Sequence, residues 1–317
     1  MNLGYACINM TLGDQKPRVT TNRTMIKRTF KEKGIEYASE LALQNVQDLY
    51  KIMEWNVDRH INLFRISSEI FPWASEYELK DLPDYEEIKN TLQYTGMYAR
   101  DNGIRLTTHP GPFNVLVSPR PHVVENTITD LTIHGELFDL LGLERSPYNL
   151  INIHCNGVYG DKMGAMNRFI ENFKRLPESV QTRLTVENDD KASMYSVKDL
   201  MYIHENTGIP IVFDYHHYKF NTGGQSEQEA LELAMSTWGD VKPLVHYSES
   251  KALHENDDSI KDQAHSDYIN DLPKLYGNDV DVMVESKAKE KAILPFIGEQ
   301  RRCEYSGLLR PEEYEDG

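Results

Sequence analysis

Short apolar runs rich in β-branched residues recur along the chain, each separated from the next by a longer stretch with helical spacing. Leu3–Ile8, Asn62–Ile66, Arg105–Thr108 and the runs 150–154, 182–187, 209–214, 242–247 and 280–285 have the length and composition of strands. Between them, Ile35–Trp55 places Leu41, Leu43, Val46, Leu49, Ile52 and Met53 at helical spacing. Helices are likewise predicted over Tyr85–Asn102, with Gly103 as its cap, and over Val123–Leu141, 161–175, 196–206, 226–238 and 265–276. A last helix begins near Ala288. Eight strand–helix alternations are the count and order of an α/β fold of one kind, a single (β/α)8 TIM barrel with its working loops at the C-terminal rim. An open doubly wound sheet also alternates, but it gathers ligands at one switch point rather than at most strand ends. The barrel is expected over residues 1–298. Residues 299–317, with Arg301-Arg302 and the acidic Glu312–Asp316, read as a surface extension.

The ends of these runs carry the chemistry. Arg105–Thr108 is followed by His109, and the next strands end in His154, Glu187, Asp214, His246 and Glu285; His216 and His217 come directly after Asp214-Tyr215. One histidine after a strand is more often a hydrogen-bonded loop residue than a ligand. Six ligand-type endings on consecutive strands point instead to a metal site on one rim. The Asn188-Asp189-Asp190 that follows Glu187 reads better as a helix N-cap than as support for the ligands.

A formal net charge of −16 excludes nucleic-acid binding through overall positive charge, though not through a local basic groove. The expected loop from Met10 to about Lys33 offers such a groove, with Lys16, Arg18, Arg23, Lys27, Arg28, Lys31 and Lys33 against only Asp14 and Glu32. Alone, a charge run of this kind is a solvated face. Following the first strand, it lies on the ligand rim and reads as a phosphate-contacting arm. Cys7, Cys155 and Cys303 cannot all pair and have no CxxC spacing, which fits a reducing compartment. No apolar stretch is long enough for a membrane helix, and Met1-Asn-Leu-Gly-Tyr-Ala has no signal-peptide character, so an intracellular protein is expected.

Taken jointly, Leu3-Gly-Tyr-Ala-Cys-Ile-Asn9, Phe64-Arg-Ile-Ser-Ser68, Thr108-His-Pro-Gly111, Asn152-Ile-His154, Val186-Glu-Asn188, Asp214-Tyr-His-His217, Val245-His-Tyr-Ser248 and Val284-Glu-Ser-Lys-Ala-Lys-Glu290 resemble the UV damage endonuclease family. That family is a (β/α)8 barrel related to apurinic endonuclease IV. The resemblance implies a metal-dependent DNA repair endonuclease, commonly using manganese, that nicks double-stranded DNA immediately 5′ of UV photoproducts and leaves a 3′-hydroxyl. It implies three divalent ions, with Zn2+ or Mg2+ as alternatives to Mn2+. His109, His154 and Glu187 would hold one. A bridging Glu187 would join Asp214, His246 and Glu285 at the second. His217, preferred over His216 by the Asp-x-x-His spacing, would share the third with His265. Glu187, His246 and Glu285 are the expected catalytic ligands.

The resemblance further implies that Tyr5 and Asn9 face the lesion and that Pro112-Phe113 probes the duplex. Here the chain departs from the Gln-Tyr pair expected of the family. Proline cannot donate from its side chain and phenylalanine lacks the hydroxyl, so an aromatic wedge survives without polar readout. Lys287 and Lys289 either contact the scissile phosphate or solvate a helix start, and Lys287 is the catalytic candidate of the two. The expected partner is damaged DNA, with no membrane and no obligate protein partner. Three other readings compete: an abasic-site endonuclease on the same scaffold, a metal-dependent sugar isomerase or epimerase, and a metal-holding protein that binds nucleic acid without cutting it. A sugar enzyme needs fewer histidine ligands and no basic loop.

Overall fold

Eight strands of four residues each run parallel and close on themselves in sequence order: β1 (Leu3–Ala6), β2 (Leu63–Ile66), β3 (Arg105–Thr108), β4 (Ile151–His154), β5 (Leu184–Glu187), β6 (Ile211–Asp214), β7 (Leu244–Tyr247) and β8 (Asp281–Val284). The register of β8 against β1, with Tyr5 beside Val284, shuts the barrel. The computed structural model describes residues 1–297, so the expected extension 299–317 and Cys303 lie outside the described residues. The helices are α1 (Met10–Gly13), α2 (Lys27–Asp58), α3 (Tyr85–Asp101), α4 (Pro121–Leu140), α5 (Lys162–Phe173), α6 (Glu178–Gln181), α7 (Val197–Thr207), α8 (Tyr215–Tyr218), α9 (Glu227–Met235) and α10 (Lys251–Glu255), and residues 290–297 are also helical.

Period-two alternation sorts the strand side chains into two compartments. One parity packs against the helices, as Leu3, Phe64, Leu106, Ile151, Val186, Phe213, Val245 and Val282 do in the large outer core. The other parity fills the barrel interior, where Ala6, Leu63, Leu150, Val212, Leu244 and Met283 form a separate cluster capped by Trp238. Gly4 belongs to the inner set: a Cβ there would come within 2.4 Å of Leu63, so no larger residue fits. At the end of α3 the chain turns through Gly103, whose φ of +67° is the left-handed value a helix stop requires.

The outline follows the sequence, with two departures. The stretch expected as a loop from Met10 to Lys33 is helical at Met10–Gly13 and again from Lys27, because Gly34 (φ 69°, ψ −160°) kinks one long helix rather than starting it. The helix expected over 265–276 does not form, and α10 occupies a stretch expected as loop instead. Pro273 interrupts that segment, and its first residues pair elsewhere: Ser250 and His265 form an antiparallel bridge, and Ser266 N–H donates to the Glu249 carbonyl. Ile269 is nonetheless buried and Leu272 and Leu275 pack on the core, so the helix-like apolar spacing is satisfied by an irregular segment.

Candidate metal centre

The inner parity continues past the apolar cluster to the C-terminal ends of the strands. His109, His154, Glu187, Asp214, His246 and Glu285 all follow in phase with the inward residues of their strands, which is why ligands dispersed over the sequence converge. Three overlapping groups result: His109–His154–Glu187, Glu187–Asp214–His217 and Asp214–His246–Glu285, each with its ligand atoms within 4.8 Å of one another.

Glu187 is the hub. Its Oε2 lies 3.2 Å from His109 Nε2, 3.7 Å from His154 Nε2 and 3.0 Å from His246 Nδ1, and its Oε1 lies 3.3 Å from His217 Nδ1. Asn152 donates to the same carboxylate, and Thr185 in turn donates to Asn152 Oδ1 at 2.8 Å. Burial opposes the charge of Glu187, but His246, His154 and the bonds from His109 and His217 outweigh it and hold the pKa well below the usual carboxylate range. Burial also opposes a proton on His217, and Asp214 and Glu187 overcome it, so this imidazole is held well above its ordinary value. At His109 burial prevails and lowers the pKa. Asp214 is raised by burial, against the pull of His217.

Several ligands have their remaining groups tied down, as metal-binding side chains do. His109 Nδ1 lies 3.1 Å from the Pro110 carbonyl and His217 Nδ1 2.9 Å from the Asn188 carbonyl, while His154 Nδ1 stands at ion-pair distance, 3.1 Å, from Asp189 Oδ1 without hydrogen-bond geometry. Asp214 N-caps α8, accepting from His217 N–H at 2.8 Å; this cap-to-third-residue spacing is what brings Asp-x-x-His together. His154 Nδ1, Asp214 Oδ2 and His246 Nδ1 are buried and have no hydrogen-bond partner. Unsatisfied buried atoms gathered from the ligand groups call for an ion or a water to satisfy them. The residues fit the group.

With this geometry in view, the comparisons decide the family. The sequence matches UV-endonuclease UvdE over residues 1–308. The chain belongs to the UV-endonuclease UvdE family. It is 34% identical to the UV DNA damage endonuclease of Bacillus cereus strain Q1, covering 94% of each chain, and 33% identical to that of Bacillus thuringiensis subsp. konkukian strain 97-27. The crystal structure of SacUVDE superposes with a TM-score of 0.83 at 32% identity, covering 96% of this chain and 99% of that one. D-psicose 3-epimerase from Clostridium cellulolyticum H10 matches at a TM-score of 0.51 and 15% identity, over 75% of this chain and 78% of that one. That likeness is one of fold alone. Family membership and the barrel agree with the expectation from the sequence, and they identify the chain as a DNA endonuclease.

Within this family member the structure distributes the expected site residues unevenly. His109, His154, Glu187, Asp214, His217, His246 and Glu285 come together. His265 does not share a ligand group with His217: their rings are 6.5 Å apart, and His265 stands closer to His216, at 5.1 Å. His217 joins Glu187 and Asp214 instead. His216 is buried, with Nε2 3.1 Å from the Gln263 carbonyl. Tyr5 does not face the rim. It has the outward parity of Leu3, is fully buried, and donates its hydroxyl to Asn56 of α2 at 2.8 Å. Asn9 is buried too, donating to Tyr5 Oη and capping α1 through Leu12 N–H.

The basic arm is also divided. Arg23 is a strut: it pairs with the buried Asp48 at 2.6 Å and donates to the Thr20 and Arg18 carbonyls, so it is not free for a phosphate. Arg18, Lys27 and Arg28 are exposed, Arg28 in a surface pair with Glu32. Lys287 is exposed, whereas Lys289, at a left-handed φ of 55°, is half-buried near Arg65 and Glu285. Pro112 and Phe113 are exposed on the turn after His109, Phe113 to 88%. No helix among the described residues is long and apolar enough to cross a membrane.

Two site residues were not anticipated. Arg65 places Nη2 2.6 Å from Glu285 Oε1 and 2.9 Å from His246 Nε2; its only sequence signal is an arginine at inward parity in an otherwise apolar strand. Asp189 supports His154 rather than capping a helix, since Ser196 provides the N-cap of α7. Asp189→Asn removes the charge that fixes His154 Nδ1. It is expected to weaken metal binding roughly 10- to 100-fold without lowering thermal stability of the metal-free protein, and titration calorimetry with Mn2+ checks this.

Proposed function

We propose that this chain cuts one strand of damaged double-stranded DNA immediately 5′ of UV photoproducts, cyclobutane dimers and 6-4 products, by hydrolysis that leaves a 3′-hydroxyl. The observation that carries the reading is Glu187 at the junction of overlapping ligand groups on one barrel rim, in a member of the UV-endonuclease family. The groups suit three divalent ions, and imidazole–carboxylate sets without thiolate suit Mn2+, with Zn2+ and Mg2+ as alternatives. Such ions supply hydroxide at neutral pH and stabilise charge on the attacking and leaving oxygens.

The chain's own residues do the positioning. Glu187 holds His109, His154, His217 and His246 around one carboxylate, and Asn152 and Thr185 fix that carboxylate from below. Phe113, exposed beside His109, is placed to fill the gap left by extruded nucleotides. Lys16, Arg18 and Lys27 lie exposed on the arm after β1, where flanking phosphates would neutralise them. Extrusion costs a few kcal/mol, least where a lesion has already weakened stacking, so selectivity needs no base-specific contact.

A labelled duplex carrying one defined cyclobutane dimer, incubated with the protein and Mn2+, tests this. A nick directly 5′ of the dimer, lost with EDTA, is expected. Cutting of an abasic duplex alone would assign the abasic-site activity instead. Phe113→Ala is expected to lower the preference for the dimer duplex over undamaged duplex by roughly tenfold, the worth of one stacked base, with Mn2+ binding unchanged.

A further inference from the structure

The arm between α1 and α2 has no ladder of its own. Residues 14–26 form neither helix nor strand, so their backbone groups need partners from elsewhere. Buried side chains of α2 supply several. Asp48, 4% exposed, accepts the Thr20 N–H at 3.0 Å and pairs with Arg23 at 2.6 Å. Asn45 is fully buried and closes on the backbone of Arg23 from both sides: its Oδ1 accepts the N–H at 3.0 Å, and its Nδ2 donates to the carbonyl at 3.0 Å. The base of the arm is tied to the end of β1, where the Thr21 hydroxyl donates to the Cys7 carbonyl at 2.7 Å.

The second hydrogen of the Asn45 amide reaches a different segment, the Ile70 carbonyl in the loop after β2, at 3.0 Å. From that loop Trp73 returns a tie. Its indole N–H donates to the Met25 carbonyl at 2.8 Å, and its ring stacks on Phe30 of α2 with 5.6 Å between centroids. Side chains thus hold arm and loop as one unit. Met25, Ile70, Trp73 and Phe113 line one cavity of about 750 Å³, so this unit and the exposed wedge face the same opening. Asn45 uses its acceptor and both donors to join the two segments. Because it has no exposed surface, any effect it has on a ligand must pass through them.

We propose that Asn45 is a positioning residue for DNA: it presets the basic arm against the loop after β2, so that Lys16, Arg18 and Lys27 are in place before a duplex arrives and binding carries no ordering cost there. The partner rests on the DNA reading above, whereas the presetting of the arm does not.

Two measurements on the full-length protein with Mn2+ separate these halves. Trypsin reads the arm without DNA: the wild type is expected to resist cleavage after Arg18 and Arg23, and Asn45→Ala to be cut there roughly tenfold faster. Fluorescence anisotropy then follows a labelled undamaged duplex over a range of salt. Asn45→Ala is expected to bind roughly tenfold more weakly, with the slope of log affinity against log salt unchanged, because every cation is still present. Lys27→Ala, which removes a cation, should lower that slope by about 0.9. In dimer-duplex incision the Asn45→Ala loss should fall on KM and spare kcat, which general unfolding would not do. Trp73→Phe keeps a ring on Phe30 and loses the bond to Met25; it should loosen the arm in the same sense, and it decides the matter if Asn45→Ala does not fold. A wild-type arm cut as fast as the variant's overturns the presetting, and an arm that loosens without weakening the duplex overturns its role in binding. A wild type that binds no duplex would take down the DNA reading and this role with it, and the trypsin difference would tell the two failures apart.

Discussion

Glu187→Gln is expected to abolish incision, by about a thousandfold or more, while the barrel stays folded. The carboxylate is within 3.7 Å of four imidazoles and belongs to two of the three ligand groups. Among the described residues, no other side chain reaches as many of the candidate ligands. The amide replacement keeps the volume and one acceptor, so Asn152 retains a partner. It removes the negative charge that a bridging position needs. Losing a metal's stabilisation of transition-state charge is worth several kcal/mol, and about 4 kcal/mol is a factor of roughly a thousand in rate. The fold rests on the outer core and the apolar cluster beneath the ligands, neither of which includes Glu187. The measurement is dimer-duplex incision alongside circular dichroism and Mn2+ titration: unchanged ellipticity, lost Mn2+ stoichiometry and lost cutting belong together. Undiminished nicking would show that Glu187 does not bridge, and the three-ion arrangement would fall with it.

The candidate ligand set was legible because a strand imposes a period of two and a parallel barrel sends every strand end to the same rim. His109, His154, Glu187, Asp214, His246 and Glu285 could be read without a structure for that reason. The same rule, applied to β1, would have turned Tyr5 outward with Leu3, where its hydroxyl meets Asn56. Arg65 went unread because a charge inside an apolar run is conspicuous only once its partners, more than a hundred residues away, are known. The segment 265–276 shows where periodicity fails. Ile269, Leu272 and Leu275 do find the core, but Pro273 and the backbone bonds that bind residues 264–267 to the neighbouring loops settle the conformation. His265 falls on an expected helix that does not form, and its ring stands 6.5 Å from that of His217.

The opposite rim of the barrel carries the second large effect: Asp281→Ala is expected to destabilise the protein by about 3–5 kcal/mol without altering the metal centre. Arg105 and Asp281, the first residues of β3 and β8, are both fully buried and pair at 3.1 Å across the barrel floor. Arg105 also donates to the Tyr148 carbonyl at 2.7 Å and stacks against Tyr148, while Asp281 accepts the Asn2 N–H at 2.9 Å and lies 3.2 Å from Lys242 Nζ. Burial lowers the Arg105 pKa and Asp281 counters it, so the charge is buried with its counter-ion in place. Truncating Asp281 leaves a guanidinium out of water with carbonyl acceptors but no counter-charge, and that unpaired charge is the source of the loss. Removing both members should therefore cost less than removing one: Arg105→Met combined with Asp281→Leu replaces the pair by apolar groups of similar size. Urea unfolding of the wild type, the Asp281→Ala protein and the double variant tests this, and the order of midpoints is expected to be wild type, then double variant, then Asp281→Ala. Incision per folded molecule should be unchanged in all three, because stability and chemistry reside on opposite ends of the strands. A double variant weaker than Asp281→Ala would mean that the floor is held by the carbonyl bonds of Arg105 rather than by its charge pair.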